Sequence, residues 1–385
     1  MSDRLRVVHL NVLPDSERRP PEVLLEAWFT LVDVASAVAR AGADVSVVQA
    51  AAQEDLVDRD GVHFHFVRAR LPTRAHRALG LWATPLSRSV FGAVRARHPQ
   101  AVHFHSLAFP RHVRALARTM PKVPVLVQDH GDGVARPLGR DLYRRGLSGI
   151  AGVAFTSADQ ATPFRAAGII AEDVPAFVVP ESSSRFTPGD QRAARDASGL
   201  TGEPCLLWIG HLNSNKDPLT ILDALSEVAS ELPGVRLWCV FRNAPLLREV
   251  EARVGSDPRL AGRVHLLGAR PRETIETLLR AADFFVLGSR REGSGFSVIE
   301  ALACGTPPLV TDIPSFRQLT RGGSVGALFP VGDASALASA VLKAAAADRA
   351  ARRRETRRHF DEHLSFEVLG RSLLAAYRSL AGVRT

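Results

Sequence analysis

Cysteine, lysine and long apolar runs are what this chain has least of. Its three cysteines, Cys205, Cys239 and Cys304, are scattered through one half. They form no disulfide framework and lack zinc spacing, which points to a reduced compartment. No run approaches the ~20 apolar residues that a membrane span needs. The opening "MSDRLRVVHLNV" is charged, and its apolar part is too short for the core of a secretory leader. A cytoplasmic protein is the expectation. Acids are missing between Gly61 and Gln128, where eleven basic residues occur, from Arg68 to Lys122. Such a stretch suits a phosphate-bearing or lipid-linked partner, or peripheral contact with the anionic inner face of a membrane. The plain alternative is a chance gap in an Arg-rich chain of net charge +9. Lysine is confined to Lys122, Lys216 and Lys343, so a lysine in a glycine-bounded loop stands out.

What is present is a regular alternation. Across 385 residues, enough for two domains, short β-branched runs alternate with longer amphipathic ones. That is the pattern of parallel sheets covered by helices. Strands are expected near Arg6–Val12, Asp44–Ala50, Val62–Ala69, Ala101–Ser106, Val123–Gln128, Gly152–Thr156 and Ala176–Val179. A helix from Pro21 to Ala41, opened by proline and closed by Gly42, joins the first two. The Pro-, Ser- and Gly-rich segment 184–203 reads as a linker between domains 1–183 and 204–365. In the second half, strands are expected near Cys205–Ile209, Arg236–Phe241, Val264–Leu267, Phe284–Leu287, Pro308–Thr311 and Ala327–Pro330. Helices fit Pro218–Glu231, Arg272–Ala281, Val298–Ala303 and Ala334–Ala347, with a last amphipathic one in 366–385. Two doubly wound α/β domains imply a cleft between them, with ligands at the carboxyl ends of the strands.

The loops after those strands hold the chemistry. "GHLNSNKDP" places Gly210, His211 and Lys216 where backbone amides and cations can cradle an anion; an ordinary strand–helix turn is the alternative. "REGSGFSVIEALACGTPPLV" follows a strand and opens a helix, so the amides around Gly295–Val298 also favour phosphate. Yet Glu292 and Glu300 flank that turn and would repel an anion. A ligand with both a diphosphate and hydroxyls removes the conflict, and a nucleotide sugar is one: Glu292 would face sugar hydroxyls and Glu300 the ribose. Otherwise Glu300 is a first-turn acid favoured by the helix dipole. In "VLVQDHGDG", His130 sits just past a strand end, able to bond a sugar hydroxyl or the transferred group. His103 and His105 share one strand face, and no carboxylate or cysteine stands at metal spacing beside them. One is expected to be packed and the other to face the cleft, with no metal. "DRD" (58–60) precedes a strand and reads as a surface turn.

Together these segments resemble the GT-B glycosyltransferases, in particular the retaining group called family 4. The strongest match is "AADFFVLGSRREGSGFSVIEALACGTPPLVTDIPSFRQL", two glutamates separated by seven residues before an alanine-rich helix and a Cys-Gly-Thr-Pro turn. "LLWIGHLNSNKDPLTILDAL" looks like the family's donor-phosphate loop, and "FEVLGRSLLAAYRSL" like its last helix, which crosses back to the first domain. The resemblance implies a catalytic set of His130, Lys216 and Glu292. It places the donor on Gly210, His211, Lys216, Glu292, Ser294, Gly295, Phe296, Ser297 and Glu300. His105, Asp129 and Asp132 are candidates on the acceptor side. Metal-independent transfer from a nucleoside diphosphate sugar, without cofactor or nucleic acid, is the implied activity. The chain departs from the family in having His211 for Arg, Ser294 for an aromatic residue, and "NVLPDSERRPPE" for a glycine pair. A sugar-nucleotide epimerase and an inactive binding module of the same architecture are the rival readings.

Overall fold

The computed structural model describes residues 4–70, 87–131, 133–135 and 137–383. They form two compact units: the chain up to Ser183 together with the segment from Phe366, and Ser184–Ser365.

The first unit is built on β1 (Arg6–Asn11), β2 (Asp44–Ala51), β3 (Asp55–Arg59), β4 (Val62–Arg68), β5 (Ala101–His105), β6 (Val125–Gln128), β7 (Gly152–Phe155) and β8 (Ala176–Val178). Their order is β3-β4-β2-β1-β5-β6-β7-β8, parallel except for β3 against β4. The central strands are buried on both faces, which is why they read as near-continuous apolar runs. On one face Val8, Leu10, Val48 and Val102 share a core with Val94, Val113 and Leu116 of the helices Arg88–Ala96 and Pro110–Thr119. On the other, Val7, Val45, Val47 and Phe64 pack with Val34 and Val38 of the helix Phe29–Arg40 and with Leu373 and Tyr377. Those last two lie on the C-terminal helix Phe366–Ala381, which therefore completes the first unit. Close contact is possible because Gly370 has no side chain; a Cβ there would collide with the Ala37 carbonyl.

Two expectations shift here. The helix drawn from Pro21 to Ala41 is two helices, Pro21–Ala27 and Phe29–Arg40, interrupted at Trp28, whose ψ of 41° leaves the helical range. "DRD" is divided between structures: Asp58 and Arg59 lie in the edge strand β3, and Asp60 with Gly61 forms the hairpin turn, both at positive φ. Of the acid-free stretch, 71–86 lies outside the described residues.

The second unit has β9 (Cys205–Ile209), β10 (Arg236–Val240), β11 (Val264–Gly268), β12 (Phe284–Leu287), β13 (Pro308–Thr311) and β14 (Ala327–Phe329). Their order is β11-β10-β9-β12-β13-β14, and every pairing is parallel. The segment expected as a linker belongs to this unit. It holds the helix Gln191–Ser198, capped by the Asp190 carboxylate on the Ala193 amide (2.7 Å) and closed by Gly199 in the left-handed region. Gln191 Nε2 donates to the Ala281 and Ala282 carbonyls, and Arg195 pairs with the buried Asp283 at 2.8 Å. The linker-like composition reflects a helix that buries only Ala194. All three cysteines are buried, and burial pushes each thiol up to about 12, so none is reactive.

Candidate active site

Among the parallel strands of each sheet the order reverses once, between β1 and β5 in the first and between β9 and β12 in the second. Loops leaving the carboxyl ends of such strand pairs diverge and open a crevice, which is where ligands bind in folds of this kind. The donor-side candidates lie at the second of these places; in the first unit His105 ends β5, and Asp129 and His130 follow the neighbouring β6.

In the second unit the loop after β9 carries Gly210, His211 and Lys216, and the loop after β12 carries Glu292, Ser294 and Gly295. The two are stitched together. The Arg290 amide donates to the Asn215 carbonyl (2.8 Å), Asn215 Nδ2 to the Arg291 carbonyl (3.1 Å), and the Arg290 guanidinium pairs with Asp217 (2.8 Å). Lys216 Nζ reaches Glu292 Oε1 across the join as a charge-assisted pair between two mostly buried side chains. So the scarce lysine and the first glutamate, 76 positions apart, are brought together by the switch point. His211 is exposed at the loop's outset, and Ser294, Phe296 and Ser297 are half-buried around the start of the helix Phe296–Ala303. Gly295 makes that start possible: its φ is +64°, and a Cβ would stand 2.9 Å from Cε1 of Phe316. The helix start carries the positive end of the helix dipole, which suits an anion; of its first amides, Val298 already donates to the Gly295 carbonyl (2.9 Å).

Glu300 lies one turn on and is buried. Burial raises its carboxyl to about 7, opposed by the Arg272 guanidinium 3.4 Å away. Arg272 also stands over the rings of Phe186 (4.9 Å) and Phe296 (5.5 Å). Sequence reasoning missed Arg272, because nothing in "GARPRE" distinguishes it from the chain's many other arginines.

In the first unit the histidines form one connected group. His9 lies on β1 beside β5, with Nδ1 3.1 Å from His105 Nε2. His105 Nδ1 lies 3.3 Å from His130 Nε2, and His130 Nδ1 lies 3.2 Å from Glu181 Oε2. On the inner side Tyr377 Oη touches both His9 Nε2 (3.3 Å) and His103 Nδ1 (2.5 Å). His103 and His105 were expected to divide, one packed and one facing outward. Both are buried instead, with rings stacked 4.4 Å apart, because residues two apart on a strand share a face and this face is covered by Tyr377. Burial, followed by the neighbouring imidazoles, holds the pKa values of His9, His103 and His105 well below the usual histidine range, so all three are neutral. One ring nitrogen from each lies within 4.8 Å of the others, a spacing compatible with a metal ion. Asp129 is buried and accepts from the Gly131 amide at 3.2 Å; Asp132 lies outside the described residues. His9, Glu181 and Tyr377 carried no signal in the sequence, since their partners are remote in the chain.

Comparison with known proteins places these features in a family. Residues 203–347 match the family model of glycosyl transferases group 1, and residues 27–180 that of the glycosyl transferase 4-like domain. The D-inositol 3-phosphate glycosyltransferase of Geodermatophilus obscurus is 33% identical over 205 residues, 51% of this chain and 45% of the relative. Its counterpart in Nocardia farcinica is 32% identical over 163 residues, 39% of this chain and 35% of the relative. The chain thus spans less than half the length of these curated relatives. In fold it is similar to the sucrose-phosphate synthase of Thermosynechococcus elongatus, with TM-score 0.72, 19% identity and coverage of 99% and 100% of the two chains. Among the described residues no helix is long and apolar enough to cross a membrane.

Proposed function

The chain belongs to the group 1 glycosyltransferases of family 4, with the GT-B fold, and we propose that it moves a sugar from a nucleoside diphosphate sugar to an acceptor hydroxyl with retention of anomeric configuration. The observation that carries this is the meeting of Lys216, Glu292 and a helix N-terminus at the second sheet's switch point. In the unliganded site Glu292 neutralises Lys216. When the donor arrives, the ammonium exchanges the carboxylate for the diphosphate, and Glu292 is released to accept from sugar hydroxyls. The positive end of the helix Phe296–Ala303 adds to the phosphate's charge compensation. Glu300, its carboxyl raised to about 7 by burial and ionised above that pH, accepts from the ribose.

Bond breaking between sugar and diphosphate builds negative charge on the leaving group. Lys216 and the helix N-terminus stabilise that charge more as it grows, which is what lowers a barrier. The departing phosphate takes the acceptor's proton on the same face, so neither a protein base nor a metal ion is needed. His130 orients and polarises the transferred sugar. The acceptor is proposed to bear a phosphate, in keeping with the names of the curated relatives and with the acid-free basic stretch. Peripheral contact of that stretch with an anionic membrane belongs to the same proposal.

The test is a kinetic one. Nucleoside diphosphate release is followed with and without acceptor, and the product's anomeric configuration is read by proton NMR. Acceptor-dependent release with a retained anomer is expected. Isomerised donor without acceptor would make the protein an epimerase, and His130→Ala with undiminished kcat at saturating donor would remove the histidine's role.

A further inference from the structure

We infer that Glu181 is a positioning residue for His130: it sets the direction of a hydrogen-bonded chain of imidazoles, closed by Tyr377 and His103, and so fixes the ring tautomer of His130. A neutral imidazole has one N–H and one bare nitrogen, so a ring with both nitrogens engaged must donate at one and accept at the other. His130, His105 and His9 each have both nitrogens engaged in the row that runs Glu181, His130, His105, His9, Tyr377, His103.

Glu181 sets the direction. Its side chain is only 17% exposed but sits at the outer end, and a carboxylate can only accept. A neutral His130 therefore donates from Nδ1, which leaves Nε2 bare to accept from His105 Nδ1–H. The same logic makes His105 Nε2 accept from His9 Nδ1–H, and His9 Nε2 accept from the Tyr377 hydroxyl. Tyr377 oxygen then accepts from His103 Nδ1–H. On this assignment His103 Nε2 is bare, and it is buried beside the Gln128 side chain. All links lie within the first unit, and Tyr377 brings the C-terminal helix into them.

The same residues meet the spacing for a metal ion. An ion on His9 and His105 would have to displace their mutual bond, whereas the hydrogen-bonded row accounts for both nitrogens of each ring. The proposal rests on the role of His130 given above, and its test does not depend on that role. Long-range proton–nitrogen correlation spectra of the full chain, without substrate, report the tautomer of each histidine. For the wild type a single Nδ1–H form is expected for His130, His105 and His9.

Glu181→Gln replaces an acceptor by a side chain that can also donate, so the direction is lost. Mixed tautomers should then appear not only at His130 but at His105 and at His9, two rings further in. Tyr377→Phe should disturb only His9 and His103 and leave His130 and His105 unchanged. A response to Glu181→Gln confined to His130 would overturn the proposal. So would a wild-type His130 protonated at Nε2, or nitrogen shifts that move on addition of zinc and revert with chelator. In kinetics, Glu181→Gln should lower kcat and leave the donor KM unchanged. A tautomer change with unaltered kcat would leave the chain standing and refute only the role of His130 in transfer.

Discussion

At the scale of the residue, the site is governed by which charges are already paired. Lys216 is held by Glu292, so the anion cradle is preset without an uncompensated buried cation. Removing the lysine takes away the leaving-group contact and leaves Glu292 to repel phosphate. Lys216→Ala should cost ~2.7–4 kcal/mol in transition-state stabilisation, about 10²–10³-fold in kcat. Glu300 gives a pH prediction whose direction is fixed. Its folded pKa of about 7 lies above the ordinary 4.5, so the fold holds a proton that the unfolded chain releases. Its contribution to stability is present at low pH and is lost as pH rises through 7. Donor affinity runs the other way, since the carboxylate is the better acceptor. Between pH 6 and 8 the donor Kd should tighten by roughly tenfold if only the ionised form binds, and Glu300→Gln should flatten the profile. An equally steep profile in the variant would remove Glu300 from the ribose. The glutamate pair and Lys216 were legible because a rare residue and a glycine turn mark them in the sequence. Arg272, Glu181 and Tyr377 were not, because each gains its meaning from a partner on another element.

At the scale of the element, local patterns carried most of the strands. A strand buried on both faces writes itself as a short apolar run, as in "CLLWI" and "FFVL". The edge strand Asp55–Arg59 is polar and nearly all exposed, so its period says nothing. The helix Gln191–Ser198 buries one alanine and reads as linker for the same reason. The break at Trp28 has no breaker residue to announce it. Turn geometry is where single residues decide an element. At Gly295 any side chain would have to adopt a positive φ and press on Phe316. Gly295→Ala should therefore cost about 1–3 kcal/mol, visible as a lower urea midpoint, with donor binding weakened because the helix start moves. A neutral substitution there would mean the start of the helix is not held as described.

At the scale of the whole molecule, each unit gathers its candidate residues at the carboxyl ends of its central parallel strands. The first unit hides its histidines, and this has a cost in acid. Below about pH 6.5 the unfolded chain binds protons that the buried neutral rings of His9, His103 and His105 refuse. Stability falls as pH drops through that value, by about 1.4 kcal/mol per pH unit for each ring concerned. The urea midpoint should decline steeply from pH 7 to 5.5, and His103→Gln should make the decline shallower; an unaltered slope would mean that ring is not buried neutral. The central claim, that the second unit grips a nucleoside diphosphate sugar through Lys216 and Glu292, is tested most directly by a thermal-shift screen. A panel of nucleoside diphosphate sugars is applied to the wild type, Lys216→Ala and Glu292→Ala. At least one donor should raise the wild-type midpoint and raise it far less, or not at all, in both variants. A donor that stabilises all three proteins equally would contradict the account.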